Sequence, residues 1–321
     1  MAPASLWGGV DMNVQRKTIS TPVSISGIGL HSGIYTTVNL KPANAGSGIT
    51  FVRADLDGLR IPALQASTTA LDYATTVGKD DVSVGTVEHL LSALMASGIT
   101  DVDIHIDGPE VPIVDGSALP FMHLIDAAGV RALTSEVPLL RLREPIEVVE
   151  GEKFIRMTPS NRLVLKYKID FDHPVIGKQS FHFDYDHDNF LRKIAPARTF
   201  GFMRDVTKLW SAGYALGASF ENTVVVAESR ILSTEGMRFP DEFVRHKAVD
   251  AIGDLALAGA PLIGAYRSVR GGHKLNHAVV TALMNEPSAW TYGEVEEPVR
   301  RQRGHADLAA AFAPAYSPDL S

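Results

Sequence analysis

HKAVDAIGDLALAG, residues 246–259, closes on a glycine and runs through Ala260 and Pro261 into the apolar stretch LIGAYRSV at 262–269. An earlier segment has the same form: TVEHLLSALMASG, residues 86–98, ends on a glycine just before the alternating DVDIHIDG at 101–108. In the earlier segment Val87, Leu90, Leu91, Leu94 and Met95 make one stripe at helical spacing, which predicts a helix starting at Thr86 and stopped by Gly98. In the later one Ala248, Val249, Ile252, Leu255 and Ala256 share one side of a helix that begins after Pro240. Helix, glycine and strand thus occur twice in the same order, a loose internal duplication.

Around these helices the chain reads as strands. Residues 15–61 alternate apolar and polar positions between Gly, Pro and Asn clusters, the pattern of short antiparallel strands. A second helix is expected over residues 122–128, after the turn-rich PEVPIVDGSALP (109–120) and closed by Gly129. Strand patterns return from Leu139 in PLLRLREPIEVVEG, FIRMTP, RLVLKYKIDFDHP and QSFHFDY, and helices follow at 187–194 and 201–212. The expected fold is α+β: two similar domains, 14–137 and 138–291, each a sheet with helices on one face, then a flexible tail at 292–321.

The 321 residues are enough for two cores of this size, and 45% hydrophobic with 21% charged residues is ordinary for a folded chain. Thirty basic against thirty-seven acidic residues leave a net charge of -7 without a long basic run, which disfavours nucleic acid. Arg141, Arg143 and Lys153 form a local basic group that suits one small anion or simple solvation. The amino terminus lacks the pattern of a secretory signal and no run of eighteen apolar residues occurs, so a cytoplasmic protein without a transmembrane segment is expected. With no cysteine, any metal must rest on His, Asp or Glu.

The chemistry concentrates on the two duplicated helices. Opposite the apolar side of the later helix stand His246, Lys247, Asp250, Gly253 and Asp254, with His246 and Asp250 one turn apart and able to chelate an ion. The alternative is a solvated face with an ordinary His/Asp pair. In TVEH, His89 points away from the apolar stripe and shares its surface with the small Ala93 and Ala96, which would let another layer approach. Two histidines and an aspartate leave a fourth tetrahedral position open, as in a catalytic zinc site, and Glu88 beside a ligand suits a general base. Glu88 read structurally only favours a helix N-terminus. His273, after two glycines, reads as an exposed imidazole able to donate a proton, or as a plain surface histidine in a loop. In ARTFGFMRD (197–205) Thr199 offers a hydroxyl to an oxyanion and Phe200 and Phe202 offer apolar walls, or the segment is a helix start packed by aromatics.

RKTISTPVSISGIGLHSG, TVEHLLSAL, PEVPIVDGSALPF, ARTFGFMRD, DEFVRHKAVDAIGDL and GGHKLNH occur here in the order in which the UDP-3-O-acyl-N-acetylglucosamine deacetylases carry them. Over roughly residues 14–290 the chain resembles that family, the zinc enzymes of the committed step of lipid A biosynthesis. The resemblance implies two β-α-α-β domains whose helical layers face each other around one zinc, bound by His89, His246 and Asp250. It implies Glu88 as general base, His273 as general acid oriented by Asp254, Thr199 as oxyanion donor and Lys247 at the reaction centre. His31 and Phe200 match substrate-binding positions, and Phe202 matches a wall of the acyl passage. At Arg143, a nucleotide contact, a family member carries lysine, so the charge is kept while forked and point-charge recognition differ. The implied partner is a UDP-linked acylated amino sugar, and a monomer is expected.

Two rival readings stand beside this one. A zinc deacetylase of another N-acetylated sugar would keep the metal residues and change the acyl passage. A zinc-stabilised binding protein without turnover would need neither Glu88 nor His273.

Overall fold

The computed structural model describes residues 13–292. Its frame is a pair of five-stranded sheets. The first contains β1 (Val23–Ile28), β2 (Tyr35–Pro42), β3 (Ile49–Arg53), β4 (Leu59–Pro62) and β5 (Val102–Ile106), in the order β1-β2-β5-β3-β4. The second contains β6 (Ile146–Glu150), β7 (Lys153–Thr158), β8 (Val164–Asp170), β9 (Lys178–Asp184) and β10 (Ala265–Val269), in the order β6-β7-β10-β8-β9. In each, the last strand of the unit inserts at the centre, parallel to one neighbour and antiparallel to the other. The repeat read as helix, glycine and strand therefore extends to the topology of the sheets.

Alternation explains why one face of each sheet is covered. Along β8, Leu165, Tyr167 and Ile169 are buried while Lys166 and Lys168 are exposed, the pattern of a sheet with one dry side. The dry sides receive the helices. α1 (Glu88–Ala96) and α2 (Leu119–Ala128) belong with the first sheet, and α5 (Glu242–Ala256) and α6 (His273–Asn285) lie on the second. Two small helices, α3 (His187–Lys193) and α4 (Val206–Ser211), lie in between along the chain. Gly98 and Gly259, at φ 68° and 74°, turn the chain after α1 and α5 in the left-handed region where glycine is unstrained.

The helical layers meet where α1 crosses α5. The crossing is close because residue 253 is glycine: a Cβ there would lie 2.0 Å from the Glu88 carbonyl oxygen. Leu90, Leu91 and Leu94 on α1 and Val249, Ile252 and Leu255 on α5 are fully buried. Each such side chain contributes roughly 1.5–3 kcal/mol. The polar side of α5 is not solvated, since His246, Asp250 and Asp254 are buried against the other layer.

Several local expectations are corrected. α1 starts at Glu88 rather than Thr86, because Thr86 takes a positive φ of 55°, and α2 starts at Leu119 with Pro120 in its first turn. The helix expected over 201–212 holds only from Val206; Phe200–Phe202 is a strand beside Val224–Val226, followed by a 3-10 turn. His273 is neither in a loop nor exposed: it opens α6 and is 8% exposed. That helix follows from Leu275, Val279, Val280 and Leu283, which lie on one stripe. LIGAYRSV divides at Gly264 into Leu262–Ile263, paired with Leu140–Leu142, and β10. A three-stranded antiparallel sheet over residues 68–84 was not read from the sequence. Of the expected tail, Tyr292 ends a strand paired with Leu140, and the remainder lies outside the described residues. Among the described residues no helix is long and apolar enough to cross a membrane.

Candidate active site

Six ionisable side chains, Glu88, His89, His246, Asp250, Asp254 and His273, are each at most 8% exposed where α1, α5 and α6 converge. Burying so many charges is costly unless they pair with each other or with an ion. Helix geometry brings them together: Glu88 and His89 open α1, His246, Asp250 and Asp254 lie at successive turns of α5, and His273 opens α6.

His89, His246 and Asp250 each offer a donor atom within 4.8 Å of the others. His246 Nε2 is 3.3 Å and His89 Nε2 3.6 Å from Asp250 Oδ1, and the two imidazoles stand edge to face at 4.9 Å. His246 Nδ1 lies 3.0 Å from the Ala197 carbonyl oxygen, which directs Nε2 inward as a lone-pair donor. Burial pulls the His246 pKa down to about 4, so it is neutral, as a ligand must be. Burial opposes ionisation of Asp250, yet Lys247 and His246 hold its pKa well below the carboxylate range. Lys247 Nζ donates to Asp250 Oδ2 at 2.8 Å; burial works against its charge, and Asp250 nonetheless raises its pKa. The donor set fits one divalent cation with a position left for a further ligand.

Facing this group are a carboxylate and an imidazole of different character. Burial raises the Glu88 pKa, against the pull of His273. His273 Nε2 lies 3.9 Å from Glu88 Oε1 and 3.9 Å from Asp250 Oδ2, while its Nδ1 is 3.0 Å from Asp254 Oδ2. Burial would lower the His273 pKa; Asp254 overcomes it and lifts the value to about 9. The pairing with Asp254 thus favours the imidazolium form of His273.

Sequence reasoning missed Thr75 and Asn276. Thr75 donates its main-chain N–H to Glu88 Oε2 at 3.1 Å and its hydroxyl to Asp254 Oδ1 at 2.6 Å, and Asn276 Nδ2 donates to Asp254 Oδ2 at 2.8 Å. Neither stood in a spacing that marks chemistry: Thr75 precedes a short hairpin strand and Asn276 is one turn into α6. Glu110 was also missed. It accepts from the main-chain N–H groups of His31 and Ser32 and from the Thr86 hydroxyl, tying the loop that carries His31 to the start of α1.

The group opens into a cavity of about 460 Å³. Thr199, Phe200, Lys247 and His31 line it near the polar end, and Phe171, Phe202, Val206 and Leu209 give it an apolar side. Phe200 meets Phe243 edge to face at 4.9 Å, and Phe202 lies 5.8 Å from Phe171. Among the described residues His31 Nε2 is buried without a hydrogen-bond partner, while its Nδ1 faces the Ala215 N–H. A bound molecule would supply the missing partner. The structure thus brings together every site residue expected from sequence except Arg143, which is exposed after Leu140–Leu142 and does not line the cavity.

Residues 16–285 match the LpxC family model, described as UDP-3-O-acyl N-acetylglycosamine deacetylase. The chain is similar to curated proteins named UDP-3-O-acyl-N-acetylglucosamine deacetylase in several bacteria. In Myxococcus xanthus the relative is 49% identical over 276 residues, covering 86% of this chain and 88% of the relative. In a Nitratiruptor strain it is 43% identical over 297 residues, covering 92% of this chain and 99% of the relative. In Brucella melitensis the figures are 42% identity over 281 residues, with coverage of 87% and 98%. A match of this extent, on a chain whose buried donors, Glu88–His273 pair and cavity meet at one point, means that the chain belongs to the UDP-3-O-acyl-N-acetylglucosamine deacetylase family.

Proposed function

We propose that this chain hydrolyses the N-acetyl group of a UDP-3-O-acyl-N-acetylglucosamine, releasing acetate and the free amine, at one zinc ion per chain held by His89, His246 and Asp250. In this reading it works as a monomer in the cytoplasm, at the committed step of lipid A biosynthesis. Residues 14–137 and 138–291 are taken as its two domains. The observation that carries the reading is the facing of a cation-fitted donor group by Glu88 and by the His273–Asp254 pair, in a cavity with an apolar side.

When bound, zinc would lower the pKa of a coordinated water and polarise the acetyl carbonyl. Glu88 takes the proton of the attacking water; one carboxylate oxygen is held by the Thr75 N–H, which leaves the other for this task. As the carbonyl carbon becomes tetrahedral, the Thr199 hydroxyl donates to the developing oxyanion and the Lys247 charge lies close by. The His273 imidazolium, oriented by Asp254, then delivers its proton to the departing nitrogen, the C–N bond breaks to leave acetic acid and the free amine, and loss of the Glu88 proton to solvent with uptake of one by His273 resets the pair.

His31 Nε2 and the Phe200 ring are taken to hold the sugar end of the substrate. The acyl chain lies along the apolar side past Phe202, where burial is worth roughly 0.8 kcal/mol per methylene. Arg143 is proposed as a contact of the nucleotide end, which the cavity need not enclose.

The test is acetate release from the acylated UDP-sugar and from UDP-N-acetylglucosamine, side by side, before and after chelation. Turnover of the acylated substrate alone, lost on chelation and restored by zinc, is expected. Equal turnover of both would favour the reading with another sugar, and zinc binding without acetate release would favour a binding protein.

A further inference from the structure

Arg198 is among the largest fully buried side chains of the structure, at 1% exposure, and the reaction just described does not use it. Its partner is Glu242, in the first turn of α5 and also 1% exposed. The Glu242 carboxylate receives four hydrogen bonds. Oε1 accepts from the Arg198 main-chain N–H at 3.0 Å and from Nε at 2.9 Å, and Oε2 accepts from Nη2 at 3.2 Å and from the Arg238 main-chain N–H at 2.7 Å. Beyond the pair, Arg198 Nη1 donates to Ser233 Oγ at 3.0 Å and Nη2 to the Gly236 carbonyl.

A buried ion pair is weak grounds for stability, because desolvation offsets much of the attraction, so its position in the chain matters more than its strength. Arg198 stands between Ala197, whose carbonyl faces His246 Nδ1 at 3.0 Å, and Thr199, which lines the cavity. Glu242 stands one helical turn before His246 on the same helix. The pair therefore fastens the backbone of residues 197–199 to the helix it must face, at the two points where an error would rotate the His246 imidazole or shift the Thr199 hydroxyl.

We infer that Arg198 and Glu242 are positioning residues for the metal centre: their forked ion pair sets the orientation of His246 through the Ala197 carbonyl and the placement of Thr199. This rests on the reading of His246 as a metal ligand and Thr199 as oxyanion donor. Removing a group that orients a ligand typically weakens metal affinity by about 10- to 100-fold. The same disturbance, acting on the oxyanion position, should lower kcat while leaving substrate affinity nearly intact.

Two variants separate positioning from plain stability. Arg198→Lys keeps the charge and loses the fork. The double variant Arg198→Met/Glu242→Gln removes both charges together, which avoids a lone buried charge, and keeps an acceptor oxygen for one of the two main-chain N–H groups that the carboxylate receives from Arg198 and Arg238. Zinc affinity by chelator competition, kcat and KM, and Tm by circular dichroism are measured on each, with His246→Ala alongside. The expected result for the double variant is a Tm within a few degrees of native, zinc affinity down by about tenfold or more, kcat down by about tenfold, and KM within about twofold. Arg198→Lys should show the same split between kcat and KM. Native zinc affinity and native kcat in the folded double variant would overturn the inference, as would losses that only follow the fraction of folded protein. If His246→Ala itself keeps native zinc affinity, the reading of that ligand fails and the inference falls with it, an outcome distinct from failure of the pair alone.

Discussion

Replacing Asp254 by asparagine isolates the electrostatic basis of the proposed general acid. In the native protein Asp254 is the largest of the charges that outweigh burial at His273 and, with Glu88 and Asp250, lift its pKa from 6.5 to about 9. Asparagine has nearly the same shape and retains one acceptor oxygen, but it has no charge to oppose desolvation. The His273 pKa should then fall toward its ordinary value, with Glu88 and Asp250 left to oppose burial; a full return from about 9 to 6.5 is equivalent to about 3 kcal/mol. A cation in the site lowers the pKa in both proteins, so the separation between the two basic limbs is the quantity to compare. The sign is fixed by the role: the active form is the imidazolium, so activity is lost as pH rises through the His273 pKa. The deficit of Asp254→Asn in kcat/KM should be small below both limbs and grow above both toward a ceiling of about 300-fold, the antilogarithm of a full return. Rates of acetate release measured from about pH 6 to about pH 10, with zinc content checked at each end, give the answer. A deficit that is the same at every pH would mean that Asp254 only holds the ring in place, and the electrostatic argument would be wrong.

Gly253→Ala should destabilise the protein by about 1–3 kcal/mol or more, seen as a lower urea midpoint, because the added methyl meets the Glu88 carbonyl where α1 crosses α5; an unchanged midpoint would show that the crossing has room. Thr75→Val should lower kcat by roughly 10-fold or more with metal content unchanged, since the hydroxyl that holds Asp254 is lost while the N–H to Glu88 remains. In the metal-free protein His273 should also make stability depend on pH. Its pKa is raised by folding, so its contribution of about 3 kcal/mol is complete below about pH 6.5 and is lost as pH rises through about 9; urea midpoints of native protein and His273→Gln should converge across that window, and a constant difference would count against it.

Some of this was legible in the order of residues alone. The pairing of His246 with Asp250 follows from helical periodicity, and the glycines at 98 and 259 mark helix ends because the left-handed conformation suits them. The absence of cysteine restricts metal donors to His, Asp and Glu. These are local properties, fixed by neighbours within a turn or two. The motif order, too, is written in the chain, and it carried the proposed roles of Glu88, Thr199 and Lys247 further than spacing could.

The tertiary structure decided the rest. Whether the polar side of α5 faces water or a second layer depends on what crosses it, and the answer lies in the contact between Gly253 and the Glu88 backbone, 165 positions apart in the sequence. His273 reads as a surface histidine after two glycines until α6 folds over the second sheet, buries its ring and sets Asp254 beside it; the charge of that imidazole is then determined by a residue 19 positions away. Thr75, Asn276 and Glu110 carry no signal of their own, because a threonine, an asparagine or a glutamate becomes specific only when its donors and acceptors meet partners from distant segments. Periodicity determines which face of an element is apolar. What the other face touches, and therefore its charge and its chemistry, is decided by packing.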